Sequence, residues 1–119
     1  MDNTFASPVN QPVLSMGVDL SMQSCTKYLN GHSDVTGGVL SGAASLLAPI
    51  NKMRRLLGGV MDPQPAYALA RGMKTMSLRV AQHNANALAV ARALAQHPRI
   101  ERVYYPGLES HPEIGRAHV

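Results

Sequence analysis

The sequence predicts a mixed α/β fold, and three features carry that expectation. Val18-Asp19-Leu20-Ser21-Met22-Gln23 alternates apolar and polar residues strictly, which is the period of a β-strand. Residues 43–57 and then 77–97 repeat apolar side chains at helical spacing. With 119 residues the chain has room for about one small domain.

The elements follow in order. Pro8, Pro12 and Gly17 leave space for at most a short helix over 13–16. The first strand covers 18–23. Asn30-Gly31-His32-Ser33-Asp34 is turn-rich through its Asn-Gly pair, and 35–40 reads as a second short strand loosened by Gly37-Gly38. The helix over 43–57 carries Leu46, Leu47, Ile50, Met53 and Leu57, and Gly58-Gly59 ends it. Asp62-Pro63 starts the next helix, with Asp62 as N-cap and Pro63 at the first helical position. That helix runs to about Arg71, with Gly72 as its stop. A long helix over 77–97 follows, with Ala81, Ala85, Leu88, Ala91 and Ala95 as its buried stripe. Pro98 lies beyond it, and 100–105 reads as a strand closed by Pro106-Gly107.

Composition narrows the function classes. Apolar residues make up 45% and aromatics only 4%, with seven methionines, which suits closely packed helices. The net charge of +4 raises nucleic-acid binding. However, the basic residues are dispersed and lack interleaved aromatics, so a small basic binding module stays a weak alternative and no nucleic-acid partner is expected. The single cysteine, Cys25, excludes an intrachain disulfide and suits a reducing compartment. The N-terminus lacks the pattern of a secretory signal and no apolar run reaches membrane-span length. The expected location is cytoplasmic, with no membrane partner.

The candidate chemistry sits at Ser24-Cys25-Thr26-Lys27-Tyr28. A partly buried lysine amine loses its proton and becomes a nucleophile. Hydroxyls two apart on an extended backbone share a side, so Ser24 and Thr26 can both donate to one anion. Taken alone, these residues fit better an exposed lysine after a strand with hydroxyls capping a turn. Asp2 changes the balance. If a strand ends near Asp2 and a parallel neighbour ends near Ser24, then Asp2, Ser24, Thr26 and Lys27 face one crevice at the carboxyl ends of the strands. A lysine that condenses with an aldehyde, a carboxylate that faces a pyridine nitrogen and hydroxyls that hold a phosphate are the equipment of a pyridoxal phosphate site.

These residues also carry a family resemblance. Asp2-Asn3-Thr4-Phe5-Ala6-Ser7-Pro8, followed by Ser24-Cys25-Thr26-Lys27-Tyr28-Leu29-Asn30-Gly31-His32-Ser33-Asp34-Val35, resembles the trans-sulfuration enzymes of cysteine and methionine metabolism. Asp62-Pro63, Ala66-Tyr67, Arg71-Gly72-Met73-Lys74-Thr75, Leu78-Arg79, His83-Asn84 and Arg102-Val103-Tyr104-Tyr105-Pro106-Gly107-Leu108 extend it along nearly the whole chain. Cys25 stands where the family commonly has alanine. The resemblance implies a Schiff base between Lys27 and pyridoxal phosphate, Asp2 at the pyridine nitrogen, Ser24 and Thr26 at the phosphate, and Asn3 beside the ring. It implies elimination or replacement at the γ or β carbon of cysteine-, cystathionine- or O-acylhomoserine-type amino acids, as substrates of a homotetramer.

Other residues have simpler accounts. Cys25 is a small packed residue facing away from Thr26. His32 and Asp34 belong to turn chemistry, and no third metal ligand accompanies them. Arg71 and Lys74 lie on a solvated helix end, and the spacing of His83 and His97 matches no zinc motif.

The resemblance also implies a protein roughly three times this length, more than one domain of this size holds. Residues 1–75 would be the C-terminal part of a large cofactor-binding domain of the fold-type I kind. Residues 76–112 would be a linking helix and the first strand of a small domain, and 113–119 a tail derived from a sequencing adapter. The expected missing parts are a glycine-containing phosphate loop, a ring-stacking aromatic and the arginine that binds a substrate carboxylate. A truncated chain that at most binds the cofactor weakly is therefore the alternative to a working enzyme.

Overall fold

The computed structural model describes residues 1–112; the expectation for 113–119 lies outside the described residues. The chain divides into two compact units, Met1–Ser77 and Leu78–Val119.

In the first unit, β1 (Leu20–Ser24) and β2 (Gly38–Gly42) pair antiparallel, with Leu20 opposite Gly42 and Ser24 opposite Gly38. The N-terminal residues lie along the other edge of β1, where Asp2 bridges Met22 in parallel. The Asn3 N–H donates to the Met22 carbonyl at 2.9 Å, and the Met22 N–H to the Met1 carbonyl at 2.8 Å. The connection from Asp2 to β1 therefore is a crossover between parallel segments, as its length predicts. Its one helical turn, α1 (Ser7–Asn10), forms earlier than expected because Pro8 favours the start of a helix. Residues 13–16 instead make tight turns closed onto Pro12 and Val13.

β1 buries the side that its alternation does not suggest. Ser21 and Gln23 are buried, while Met22 is 43% exposed. The polar side is covered within the chain, and nothing in this unit encloses the apolar one.

After Ser24 the chain leaves the strand and closes a wide helical turn over Cys25–Leu29, interrupted at Lys27, where φ is −100° and ψ −129°. The expected extended path through Thr26 is thus corrected. The Cys25 N–H already bonds the Gly37 carbonyl at 2.8 Å, and burial of Cys25 and Leu29 pulls the backbone round. Cys25, Leu29 and Val35 form the core, with Val39, Met61, Ala68, Leu69 and Met76 against it.

The helices follow the sequence more closely. α2 (Ala44–Leu57) ends at Gly58, whose φ of 78° is a left-handed conformation that glycine adopts freely. α3 (Pro63–Met73) starts after Asp62 with proline in its first turn, although the Asp62 side chain makes no capping bond. Gly72 is not the stop. It lies inside α3, buried, where a Cβ would collide with the Asn30 carbonyl oxygen. Its small size lets α3 press against the turn that follows Lys27.

α4 (Met76–Ala95) runs across the boundary between the units. Its buried residues are Val80 and Ala91. Ala81, Ala85 and Ala95 of the expected stripe are exposed. Alanine is so frequent around this helix that the apolar pattern does not define one face. Residues 100–105 form no strand, since no described strand is there to pair with them. Instead the Arg102 guanidinium sits 4.9 Å from the centre of the Tyr104 ring. No helix among the described residues is long and apolar enough to cross a membrane.

Candidate cofactor site

The candidate site residues come from two segments held side by side, the N-terminal residues bridged to Met22 and the end of β1 with the turn that follows it. Asp2 is exposed, and one carboxylate oxygen takes two bonds from Thr4. The Thr4 hydroxyl donates to Oδ1 at 2.6 Å and the Thr4 N–H donates to the same atom at 3.0 Å. These two bonds, the hydroxyl's first, hold the Asp2 carboxyl below the usual carboxylate range. Its other oxygen has no hydrogen-bond partner among the described residues.

Thr4 also accepts a bond from the Ser24 N–H at 2.9 Å, so one buried hydroxyl links Asp2 to the end of β1. The Ser24 hydroxyl has no hydrogen-bond partner among the described residues. Thr26 Oγ1 accepts from the Gly37 N–H at 3.3 Å, which leaves its proton to donate elsewhere. Lys27 is exposed, and its ammonium has no hydrogen-bond or ion-pair partner among the described residues.

Asn3 is placed differently. Neighbours along an extended backbone point to opposite sides, and Asn3 is buried with its amide donating to the Gln11 carbonyl at 2.8 Å and the Ser7 carbonyl at 3.3 Å. It lines an apolar cavity of about 430 Å³ together with Val13, Gln23, Leu29 and Leu69. Neither Asp2, Ser24, Thr26 nor Lys27 lines that cavity. The cavity and the candidate cofactor-binding groups are therefore separate here.

The turn after Lys27 is braced by Asn30, which is 1% exposed. Its amide donates to Asp34 at 2.6 Å, and the His32 ring lies 2.6 Å from its carbonyl oxygen. The Asn30 bond is the main reason the Asp34 carboxyl lies below its usual range. Asp34 is also 3.9 Å from Arg71, both side chains well exposed, a pair of small energetic weight. His32 and Asp34 thus serve the turn, and among the described residues no three His, Cys, Asp or Glu side chains gather as a metal site. Cys25 is fully buried and burial pushes its thiol up, which makes it a packing residue and a poor nucleophile.

Sequence reasoning singled out neither Thr4 nor Asn30. The signal for Thr4 was the Asp-x-Thr spacing, which favours a local bond from residue i+2 back to an aspartate.

The donor set suits a phosphorylated pyridine aldehyde. It offers a carboxylate with one open oxygen, two hydroxyl donors and a lysine amine with no partner among the described residues. The model of the Cys/Met metabolism PLP-dependent enzymes matches residues 1–118. The chain belongs to that family. Its cofactor is pyridoxal phosphate. The chain is 50% identical over 113 residues to cystathionine gamma-synthase 1, chloroplastic, of Nicotiana tabacum, covering 95% of this chain and 21% of that protein. It is 46% identical over 114 residues to the L-methionine gamma-lyase of Fusobacterium nucleatum subsp. polymorphum, covering 94% of this chain and 29% of that enzyme. The crystal structure of a cystathionine gamma-lyase from Lactobacillus plantarum complexed with L-serine superposes with a TM-score of 0.92 at 40% identity. That match takes in 98% of this chain and 31% of the other. The chain thus spans under a third of the length of each of these proteins.

Proposed function

We propose that this chain is the lysine-bearing part of a pyridoxal phosphate-dependent trans-sulfuration enzyme. The observation that carries the reading is the family match spanning Asp2 and the Ser24–Lys27 segment, where the second Asp2 oxygen, the Ser24 hydroxyl and the Lys27 amine have no partner among the described residues. Lys27 would hold the cofactor through its side-chain amine, and that amine would be the group that moves protons at the substrate's α and β carbons. Asp2 would hold the ring nitrogen through its open carboxylate oxygen, whose negative charge would favour the protonated ring. Ser24 and Thr26 donate to the phosphate. Asn3 contributes by holding the Ser7–Gln11 segment in place next to Asp2. Bound pyridoxal phosphate supplies the electron sink for a carbanion at the substrate α carbon. The substrates are cysteine-, cystathionine- or O-acylhomoserine-type amino acids, with a β or γ substituent eliminated or replaced.

In the complete enzyme, residues 1–75 belong to the large domain of a fold-type I protein, and 76–112 to the linking helix and the start of a small domain. The assembly is a homotetramer in the cytoplasm. A second reading concerns the 119-residue chain by itself: it binds the cofactor weakly and does not turn over. The uncovered apolar side of β1 and the long exposed apolar face of α2 favour it.

Pyridoxal phosphate added to the purified chain is expected to develop an imine absorption band that is lost in Lys27→Ala with folding retained. A band of unchanged strength in that variant would refute the assignment of Lys27.

A further inference from the structure

We propose that Thr4 is a positioning residue that clasps the Asp2 carboxylate to the end of the strand bearing Ser24, through one hydroxyl that donates to Asp2 and accepts from Ser24. The direction of each bond is forced. A backbone N–H can only donate, so the Ser24 amide at 2.9 Å occupies a lone pair of Thr4 Oγ1. The hydroxyl proton is then directed to Asp2 Oδ1 at 2.6 Å, which must act as an acceptor. The Thr4 N–H reinforces that orientation by donating to the same oxygen at 3.0 Å. Thr4 is 6% exposed, so water competes poorly for either bond, and its β-branch restricts χ1.

The result is a carboxylate with one oxygen fixed and the other left open. The clasp also joins residues twenty apart in sequence, Thr4 and Ser24. Through Thr4 it connects Asp2, assigned to the ring nitrogen, with Ser24, assigned to the phosphate. The charged group near Asp2 is the Met1 ammonium, which donates to the Leu20 carbonyl at 2.7 Å and acts on Asp2 less than the Thr4 bonds do. The catalytic meaning of the clasp rests on the cofactor reading of Asp2; its existence does not.

NMR on the 119-residue chain without cofactor tests it. In the unmodified protein the Ser24 amide proton shift is expected to follow the titration of the Asp2 carboxyl, because the shared hydroxyl transmits the change. In Thr4→Val the Asp2 midpoint rises toward the ordinary carboxylate value, and the Ser24 amide exchanges about fivefold to tenfold faster for loss of one hydrogen bond. Thr4→Ser restores both. A Ser24 shift that stays flat through the Asp2 midpoint overturns the clasp, and needs no variant that folds. An unmoved Asp2 midpoint in folded Thr4→Val overturns it as well. If Thr4→Val moves both signals while Asp2→Asn leaves the affinity for added pyridoxal phosphate unchanged, the clasp stands and the cofactor role of Asp2 falls.

Discussion

The turn around Lys27 and helix α2 lie in the same compact unit and differ sharply in how far the chain satisfies them. Around the turn, Cys25, Leu29, Asn30 and Val35 are all buried, and Asn30 fills the space that Gly72 leaves open on α3. α2 has no buried residue, and Leu46, Ile50, Met53, Leu56 and Leu57 are exposed along it, Leu57 at 78%. The segment proposed to carry the chemistry is therefore held by contacts internal to the chain. Helix α2 presents an apolar face that none of the described residues buries.

The largest effect should come from closing the gap between α3 and the turn. Gly72→Val is expected to destabilise the chain by about 3 kcal/mol, the upper range for overpacking against a backbone that cannot give way. A lower midpoint in urea denaturation would register it. Cys25→Ser places a hydroxyl in the apolar core and should cost about 2 kcal/mol in the same assay, whereas Cys25→Ala should cost less. Acid should act on the same region. The carboxyls of Asp2 and Asp34 are lowered by bonds from Thr4 and Asn30, so their contribution to stability is complete above the ordinary carboxylate value near pH 4. It is lost as pH falls through their depressed folded values, and a urea midpoint followed from pH 5 to pH 2 should decline accordingly. Leu57→Gln on α2 is expected to shift stability by no more than about 0.5 kcal/mol. A cost comparable to Gly72→Val would remove the contrast between the two regions.

Much of this contrast is legible in the sequence, but unevenly. The Gly58 stop of α2 and the Asp62-Pro63 start of α3 follow from local backbone chemistry, and the structure has both. Cys25 as a packed residue is also correct. Gly72 reads locally as a helix stop because its close approach to Asn30, more than forty residues away, leaves no local trace. The alternation over 18–23 locates β1 but not its buried side, since period alone does not say which side finds cover. Residues 100–105 have strand-like composition, yet a strand needs a neighbour to bond. At the site, the types and order of Asp2, Ser24, Thr26 and Lys27 were visible. The hydroxyl that ties Asp2 to Ser24 was not, because it depends on two distant segments lying side by side.

Pyridoxal phosphate can also add to exposed lysines without a site, so the decisive measurement is where it attaches. The chain would be incubated with a limiting amount of pyridoxal phosphate, reduced with borohydride, digested, and the modified lysine located by mass spectrometry. The account predicts that the pyridoxyl group concentrates on Lys27, with Lys52 and Lys74 labelled only at excess reagent. Equal labelling of Lys27, Lys52 and Lys74 at limiting cofactor would contradict it.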